Sequence, residues 1–405
     1  MRTDWAGTAA RRRMSVPAQV TRAAEARRFK YARPAADSLH ERQWRTHLLE
    51  EAIVGRRTAI GLDIGTSSVR AAELALRSSG PELLRFGQIA LPEGALRDGE
   101  VVDQAAVANA IRELWRGVKF SHKRVTVGVA NPRVVVRQVE VPYLAGDELR
   151  KALPLLVGDQ VPIDASQAVL DFAPLEEIRT SDGGRSLSGL LVAGFEEMIV
   201  RSVDAVLAAG LDPVVVDLNS FAVLRAVAAS PGLGLTARPE AVVDVGADLT
   251  NIVVHENGIP RFVRILLIGG RGATQALMEE QALTRIEAEQ AKREVGLHDE
   301  AAATAGVART MQRAANDLIE EIRGSLDYFA ATSPCGPVTR VVLSGGGARM
   351  RGLDERLAER LHVPVITGSP LSGLAVGATG LSDAQLRFID PIAAVPVGLA
   401  LGSAA

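Results

Sequence analysis

The chain has 405 residues, of which 47% are hydrophobic and 23% charged, with a net charge of −2, and these globular values exclude wholesale disorder. Aromatic residues make up only 4%, which argues against a base-stacking nucleic-acid platform, and the single cysteine, Cys335, cannot form an intrachain disulfide. Residues 1–13 are polar and basic, and no apolar run has the roughly 18 residues of a membrane span, so we expect a cytoplasmic protein without a specific nucleic-acid partner.

The first 57 residues differ in charge from the rest of the chain. They contain 13 Lys or Arg against 6 Asp or Glu, a local net charge of +7, and show little apolar periodicity before Trp44. We expect residues 1–57 to be a basic, disordered extension outside the folded core. Contact of this arm with anionic lipid or nucleic acid remains an alternative, and Met14 is a second candidate for the first residue.

The folded part begins abruptly at Thr58. Runs of apolar and β-branched residues between turn residues predict strands, and apolar residues at helical spacing predict a helix. The predicted strands of this part are 58–64, 69–76, 83–89 and 124–130, and the predicted helix is 102–115. A hairpin sheet followed by a crossover helix and another strand is the start of an α/β domain.

Residues 132–197 have the pattern of a small inserted α/β unit. The pattern predicts three strands, an amphipathic helix between the first two and a further helix behind the unit. The strands are 134–141, 168–172 and 188–195, and the helices are 145–157 and 196–209.

The second half repeats the opening pattern. Strands are predicted at 241–245, 251–256, 260–267 and 338–343, helices between 269 and 329, and another helix from Met350. An aspartate lies near the end of the first predicted strand in both halves, as Asp63 and Asp244. The repeat predicts two similar lobes with a cleft between them.

The turns after these two strands carry the first candidate site residues. A carboxylate followed by Gly, Thr and Ser offers free backbone N–H groups and hydroxyls to an anion, and the carboxylate can hold a hydrated Mg²⁺ beside it. An ordinary hairpin turn is the alternative for either turn alone. The residues concerned are Asp63, Gly65, Thr66 and Ser67 in the first turn and Asp244, Gly246 and Thr250 in the second.

Two further groups lie later in the chain. A predicted strand runs into Gly345, Gly346 and Gly347, where a backbone without side chains can lie against a base or ribose; tight chain packing is the alternative. Glu289 and Lys292 share one helix face at i,i+3 spacing, where they are suited either to a ribose or to a surface ion pair.

These four groups, in this order, resemble the actin/Hsp70/sugar-kinase ATPase superfamily over residues 58–405. Within it the chain is similar to the type IV pilus assembly protein PilM family, which is related to the divisome actin FtsA. The similarity is carried by GLDIGTSSVR at 61–70, Val-Pro at 141–142, the helix ending AEQAKREVG at 288–296 and PVGLAL at 396–401.

The resemblance implies an α/β, actin/Hsp70-like (ribonuclease H-like) two-lobed ATPase fold with an inserted 1C-type subdomain in place of the usual subdomain 1B. It implies the following division: 58–131 as the first part of subdomain 1A, 132–197 as the 1C-like subdomain, 198–239 as the return of 1A, 240–380 as the second lobe (2A and 2B), and 381–405 as a closing segment packed on the first lobe.

The resemblance also implies ATP and Mg²⁺ as cofactors, and a role for each candidate residue. Asp63 and Asp244 would contact Mg²⁺ through water, the two turns would bind phosphates, Glu289 and Lys292 would meet the ribose, and Gly345, Gly346 and Gly347 would meet the adenosine, with Arg349 stacking on adenine. Residues 129–132 (Val-Ala-Asn-Pro) provide no Gln or Glu to orient a water, so we expect at most slow ATP hydrolysis.

For function, the resemblance implies a cytoplasmic component of the type IV pilus, or a related type II secretion-like, inner-membrane assembly platform. The implied partners are the short cytoplasmic tail of a PilN-like membrane protein, the pilus motor ATPases and further copies of the chain in a ring. An FtsA-like division actin is the alternative. A sugar kinase is a third reading, with Asp171 or Asp217 as the general base.

Overall fold

The computed structural model describes residues 57–164, 167–179, 183–228, 238–297 and 304–403. The basic extension predicted at 1–57 therefore lies outside the described residues, apart from the backbone of Arg57.

The first lobe is built on a six-stranded sheet with the order β10-β6-β1-β2-β3-β16. β1, β2 and β3 are antiparallel neighbours, whereas β6 and β10 run parallel to β1. A separate two-stranded ladder, β4 with β5, precedes the first helix. The strands up to β6 are β1 (Arg57–Ile64), β2 (Ser68–Arg77), β3 (Gly80–Ala90), β4 (Leu96–Arg97), β5 (Glu100–Val101) and β6 (Arg124–Val129).

The insert forms its own three-stranded antiparallel sheet with the order β7-β9-β8. Two of its strands, β8 and β9, are longer than the sequence pattern predicted, because they continue past the apolar run toward the loop around Gly183. The strands here, with β10 of the first sheet, are β7 (Val135–Pro142), β8 (Ala168–Arg179), β9 (Arg185–Phe195) and β10 (Asp212–Leu218).

The second lobe repeats the topology of the first. Its sheet has the order β13-β12-β11-β14-β15, again with three antiparallel strands followed by two parallel ones. The remaining strands are β11 (Glu240–Val245), β12 (Thr250–Glu256), β13 (Ile259–Leu266), β14 (Arg340–Ser344), β15 (Val365–Thr367) and β16 (Ala375–Val376), the last of which pairs with β3.

Helices pack on the sheets of both lobes. They are α1 (Gln104–Val118), α2 (Gly146–Val157), α3 (Glu196–Ala208), α4 (Asn219–Ala228), α5 (Arg271–Gln281), α6 (Arg285–Glu294), α7 (Ala305–Thr332), α8 (Leu353–Leu361), α9 (Asp383–Ile389) and α10 (Ala394–Gly402). Asp103 accepts a hydrogen bond from the backbone of Ala106 and caps α1, and Thr284 forms a capping box with Glu287 at the start of α6.

One hydrophobic cluster joins the two lobes. It combines side chains of β2 and β3, of α4 and α10, and of the second sheet, where Val242 and Val342 contribute. α10 lies so close to β1 that a Cβ on Gly61 would fall 2.7 Å from both Ala400 N and Leu399 Cβ. A second cluster lies entirely within the second lobe, between its sheet and α7. Close backbone approach thus attaches α10 to the first lobe.

Among the described residues, no single helix is long and apolar enough to cross a membrane; Asp383–Ile392 and Ala394–Gly402 meet that test only as a pair bent by 75°.

Candidate functional site

The two turns predicted to bind phosphate are equivalent in the two lobes. Asp63, the next-to-last residue of β1, lies opposite Arg70 on β2, and Asp244, the next-to-last residue of β11, lies opposite Asn251 on β12. The first turn is closed by a hydrogen bond from Gly65 N to Ser68 O at 3.0 Å, and the second by one from Gly246 N to Leu249 O at 2.8 Å. The same backbone geometry therefore follows each aspartate.

Both aspartates are buried and lie in one electrostatic environment. Burial raises the pKa of Asp63, although the charge of Arg70 and a hydrogen bond from Asn219 act in the opposite direction. Burial, reinforced by the negative charge of Asp63, raises the pKa of Asp244 to about 6, while Arg70 and a hydrogen bond from Asn251 lower it. A hydrated cation between the two carboxylates would relieve their repulsion.

The composition of the site fits Mg²⁺ held through water better than a metal held by protein alone. The described residues contain no cluster of three or more metal-ligating side chains. Mg²⁺ usually keeps several water ligands and uses one or two carboxylates together with phosphate oxygens. Asp63 and Asp244 are the two carboxylates that could act in this way.

The turns of the two lobes touch each other directly. Asp248 N donates a hydrogen bond to Thr66 Oγ1 at 3.3 Å. Arg271, the first residue of α5, reaches both turns: its Nη2 donates to Thr66 O at 3.2 Å, and its Nε lies 2.9 Å from Asp248 Oδ1. These contacts join the lobes at the base of the cleft.

The three glycines of the triple glycine have two different roles. Gly345 has a φ of +88°, and a Cβ there would lie 2.8 Å from Asp244 Oδ1. A Cβ on Gly347 would overlap the side chain of Val245, with Val245 Cβ at 2.8 Å, whereas a Cβ on Gly346 would meet only Ile392 Cγ2 at 3.8 Å. Gly345 and Gly347 therefore serve chain packing, and only Gly346 leaves its side-chain direction open.

Arg349 does not present a bare guanidinium to the cleft. The group lies over the ring of Phe388 on α9, with Cζ 4.0 Å from the ring centroid. Burial, and then the positive charges of Arg70 and Arg293, lower the pKa of Arg349 to about 10. The stacking surface that the sequence assigned to adenine thus has one face covered by Phe388.

Glu289 and Lys292 form a hydrogen-bonded group with Thr274 of α5. Lys292 Nζ lies 3.1 Å from Glu289 Oε1 and 2.7 Å from Thr274 Oγ1, which in turn donates to Glu289 Oε1 at 2.6 Å. Burial raises the pKa of Glu289, but the hydrogen bonds and the charge of Lys292 outweigh it and leave the pKa below its ordinary value. Burial lowers the pKa of Lys292, while Glu289 acts to raise it. Two helices thus hold this pair in place.

A cavity of about 480 Å³ lies between the lobes at these residues, a size suited to a small-molecule ligand. Its wall carries six cationic side chains and two acidic ones. The cations are Arg70, Arg271, Arg285, Lys292, Arg293 and Arg349, and the acids are Glu93 and Glu289. Two buried nitrogens of this wall, Arg70 Nε and Arg349 Nη2, have no hydrogen-bond partner among the described residues. Excess positive charge and unsatisfied donors suit a polyanionic ligand.

Eight of the thirteen predicted site residues line this cavity: Thr66, Ser67, Gly246, Glu289, Lys292, Gly346, Gly347 and Arg349. Asp63, Asp244, Gly65 and Gly345 are not part of its wall. Thr250 is fully buried, and its hydroxyl donates to Ile268 O at 2.8 Å. That hydrogen bond ties the second turn to the chain before α5 and does not present the hydroxyl to the cavity.

Sequence reasoning assigned no role to several residues of the wall, among them Arg70, Arg271 and Phe388. Arg70 lies inside the quoted 61–70 motif but received no role, although its position seven residues after Asp63 at the facing end of a hairpin was a usable signal. Arg271 and Phe388 follow no recognisable motif. Their contacts join segments far apart in the chain: Arg271 meets Thr66 across 205 positions.

The residues considered for other chemistry have structural partners. Asn131 donates to Asp98 O at 2.8 Å and accepts from Arg133 N at 2.8 Å, so it holds a loop. Asp217 is buried in an ion pair with Arg225. Asp171 lies in the insert sheet, where burial raises its pKa to about 6. Neither aspartate lines the cavity, so the structure does not favour a kinase base at either position.

Two lobes of the same strand order, with equivalent turns facing across a cationic cleft, define an actin-like ATPase fold. The family model for the type IV pilus assembly protein PilM matches residues 61–404. The chain belongs to this family, which confirms the family and the fold expected from the sequence.

Individual proteins resemble the chain to different degrees. A chain in the structure of a PilM–PilN type IV pilus biogenesis complex matches with a TM-score of 0.75 and 29% identity, covering 87% of this chain and 100% of that one. Cell division protein FtsA of Bacillus subtilis (strain 168) is 22% identical over 351 residues, 77% of this chain and 78% of its own. Ethanolamine utilization protein EutJ from Carboxydothermus hydrogenoformans matches with a TM-score of 0.51 and 16% identity over 89% of this chain and 98% of its own, a likeness of fold alone.

Proposed function

We propose that this protein is an ATP-binding component of the type IV pilus assembly platform, on the cytoplasmic side of the inner membrane, and that it binds the cytoplasmic tail of a PilN-like membrane protein. The observation that carries the proposal is the match to the PilM–PilN complex, which includes the whole of that chain at 29% identity. At this identity and TM-score the resemblance extends beyond the general fold, and it supports a shared partner.

The cavity supports a nucleoside triphosphate with Mg²⁺ as the ligand. Thr66, Ser67 and Gly246 would hold phosphates, and Asp63 and Asp244 would hold the hydrated ion. When bound, Mg²⁺ would neutralise phosphate charge between the lobes. The unpartnered nitrogens of the arginine-rich wall provide further donors for the phosphates. Glu289 and Lys292, held by Thr274, would meet the ribose, and Gly346 the adenosine.

The proposal includes the division into subdomains 1A, 1C, 2A and 2B. The insert sheet would be subdomain 1C and the first six-stranded sheet subdomain 1A. In this proposal the nucleotide acts on the angle between the lobes, since it contacts a turn from each, and that angle biases binding of the partner. With Asn131 engaged in a loop, we expect hydrolysis to be slow and ATP to act mainly as a clamp. Contacts with motor ATPases and a ring of copies belong to the same proposal.

Binding of a synthetic tail peptide to the full chain tests the proposal. The peptide would be the cytoplasmic N-terminal tail of the PilN-like protein of the same host, and its fluorescence anisotropy would be read with Mg-ATP, with Mg-ADP and without nucleotide. We expect saturable binding that changes at least threefold with Mg-ATP, and none with a scrambled peptide. Absence of binding in all three conditions would overturn the partner assignment. Equal affinity in all three would overturn the link to nucleotide.

The match to FtsA favours one alternative, a membrane-associated division actin. A pull-down from solubilised membranes with ATP present separates the two readings. Recovery of a small single-span protein and pilus motor ATPases supports the assembly role. Recovery of the tubulin-like division protein in their place would move the function to the division branch.

A further inference from the structure

A glycine pair brings Arg271 to the phosphate turn of the second lobe. Gly270 N donates to Gly246 O at 3.0 Å, and Arg271 N donates to Ala247 O at 2.8 Å. Gly269 has no room for a side chain, because a Cβ there would lie 2.5 Å from Ala247 O. The backbone of residues 269–271 is therefore fixed against the turn, and Arg271 begins α5 at that point.

The side chain of Arg271 extends from this fixed backbone across the cleft. It pairs with Asp248 in its own lobe at 2.9 Å and donates to the backbone of Thr66 in the other lobe at 3.2 Å. A guanidinium has five N–H donors in a rigid plane, and these two contacts use two of them. The side chain lines the cavity and is one quarter exposed.

We infer that Arg271 is the residue that distinguishes a nucleoside triphosphate from a diphosphate at this site. The inference rests on the proposed nucleotide cavity. In the proposed cavity the phosphate farthest from the nucleoside would lie between the two turns, and Arg271 is the described side chain that bonds to both of them. Its planar fork suits the bidentate contact that a terminal phosphate offers.

The contacts around Arg271 would also allow the terminal phosphate to link the two lobes. In the structure Thr66, Asp248 and Arg271 bond to one another across the cleft. A terminal phosphate would accept hydrogen bonds from Arg271 and from Thr66 together, so the link between the lobes would pass through the phosphate. A diphosphate lacks that group, and the guanidinium keeps its pairing with Asp248.

Paired titrations on the full chain test the inference. Isothermal calorimetry would measure Kd for Mg-ADP and for a non-hydrolysable Mg-ATP analogue with the wild type, Arg271→Gln, Arg271→Lys and Arg285→Gln. Arg285→Gln is the matched control, because it removes the same charge from the same cavity wall while its partner, Glu93, is mostly exposed. Thermal melting would show that each variant is folded.

We expect Arg271→Gln to weaken the binding of the triphosphate analogue at least tenfold and the binding of ADP less than threefold. Arg271→Lys should bind the triphosphate analogue more tightly than Arg271→Gln but less tightly than the wild type, because lysine restores the charge without the planar guanidinium. Arg285→Gln should change the affinities for the two nucleotides by a similar factor, because it removes charge from the same wall without contacting either turn. Equal losses for the two nucleotides in Arg271→Gln, or no loss, would overturn the inference while leaving the nucleotide cavity in place. A wild-type chain that binds neither nucleotide would overturn both.

Discussion

Substitution of Gly346 by valine separates ligand binding from folding more cleanly than any other change in the cleft. A Cβ at this position would have one protein neighbour within 4 Å, Ile392 Cγ2 at 3.8 Å, and no left-handed backbone strain. The expected loss in the free energy of unfolding is therefore within about 0.5 kcal/mol. The two added methyl groups would enter the cavity that Gly346 lines, and we expect Mg-ATP affinity to fall at least tenfold, about 1.4 kcal/mol or more.

The neighbouring glycines are the matched controls. Gly347→Ala forces a Cβ against Val245, an overpacking that costs about 1–3 kcal/mol. Gly345→Ala places a Cβ on a backbone with a φ of 88° and a ψ of 175°, a region that essentially only glycine adopts, at a cost of about 1–3 kcal/mol. Both should lower the melting temperature, whereas Gly346→Val should not. Calorimetric ATP titration and thermal melting of the three variants check this. Normal ATP binding by a folded Gly346→Val protein would refute the assignment of this wall to the nucleotide.

Three more predictions concern the aspartates, the ribose pair and a buried histidine. Asp63→Ala or Asp244→Ala should weaken Mg-ATP binding more than tenfold in calorimetry, and unchanged binding in both would contradict the cleft assignment. Lys292→Met should weaken the binding of ATP about tenfold but the binding of inorganic triphosphate by less than threefold, since triphosphate has no ribose. Equal losses of affinity would place Lys292 at the phosphates. Burial, and then the charge of Arg340, lower the pKa of His255 to about 4, so stability present above about pH 6.5 is lost as the pH falls through 4. Denaturant unfolding should show that the free energy of unfolding falls between pH 7 and pH 4 by about 2–3 kcal/mol more in the wild type than in His255→Asn. An equal fall in both proteins would show that His255 is not the cause.

The fold could be predicted from the sequence because the two lobes repeat the same local pattern. Strand, turn and strand recur with Asp63 and Asp244 at equivalent places, and the structure shows both lobes with the same strand order. The helix at α4 was missed for a physical reason. Nearly all of its residues are buried between the lobes, among them the polar Asn219 and Ser220, so it has no polar face to produce a helical period. β10 was missed with it.

The site was accessible only in part. Short motifs located the turns, the triple glycine and the Glu289–Lys292 pair. They could not show that Thr250 bonds inward to Ile268, since a hydroxyl suits either role. Nor could they distinguish the roles of the three glycines, because the sequence does not show whether a glycine is needed for packing or for a ligand. Arg271 acquires its role from a residue 205 positions away, and no local pattern encodes such a contact.

The close approach of α10 to β1 has a consequence for how the chain folds as it is made. The core cluster of the second lobe draws only on residues 241–365, so that lobe can be completed as one continuous stretch. The first lobe begins earlier on the ribosome but packs β1 against Leu399 and Ala400, and it must wait for them. Domains usually fold in order of synthesis. Here the lobe translated second can finish folding first. Until the first lobe is complete, its early strands need protection from pairing with other chains.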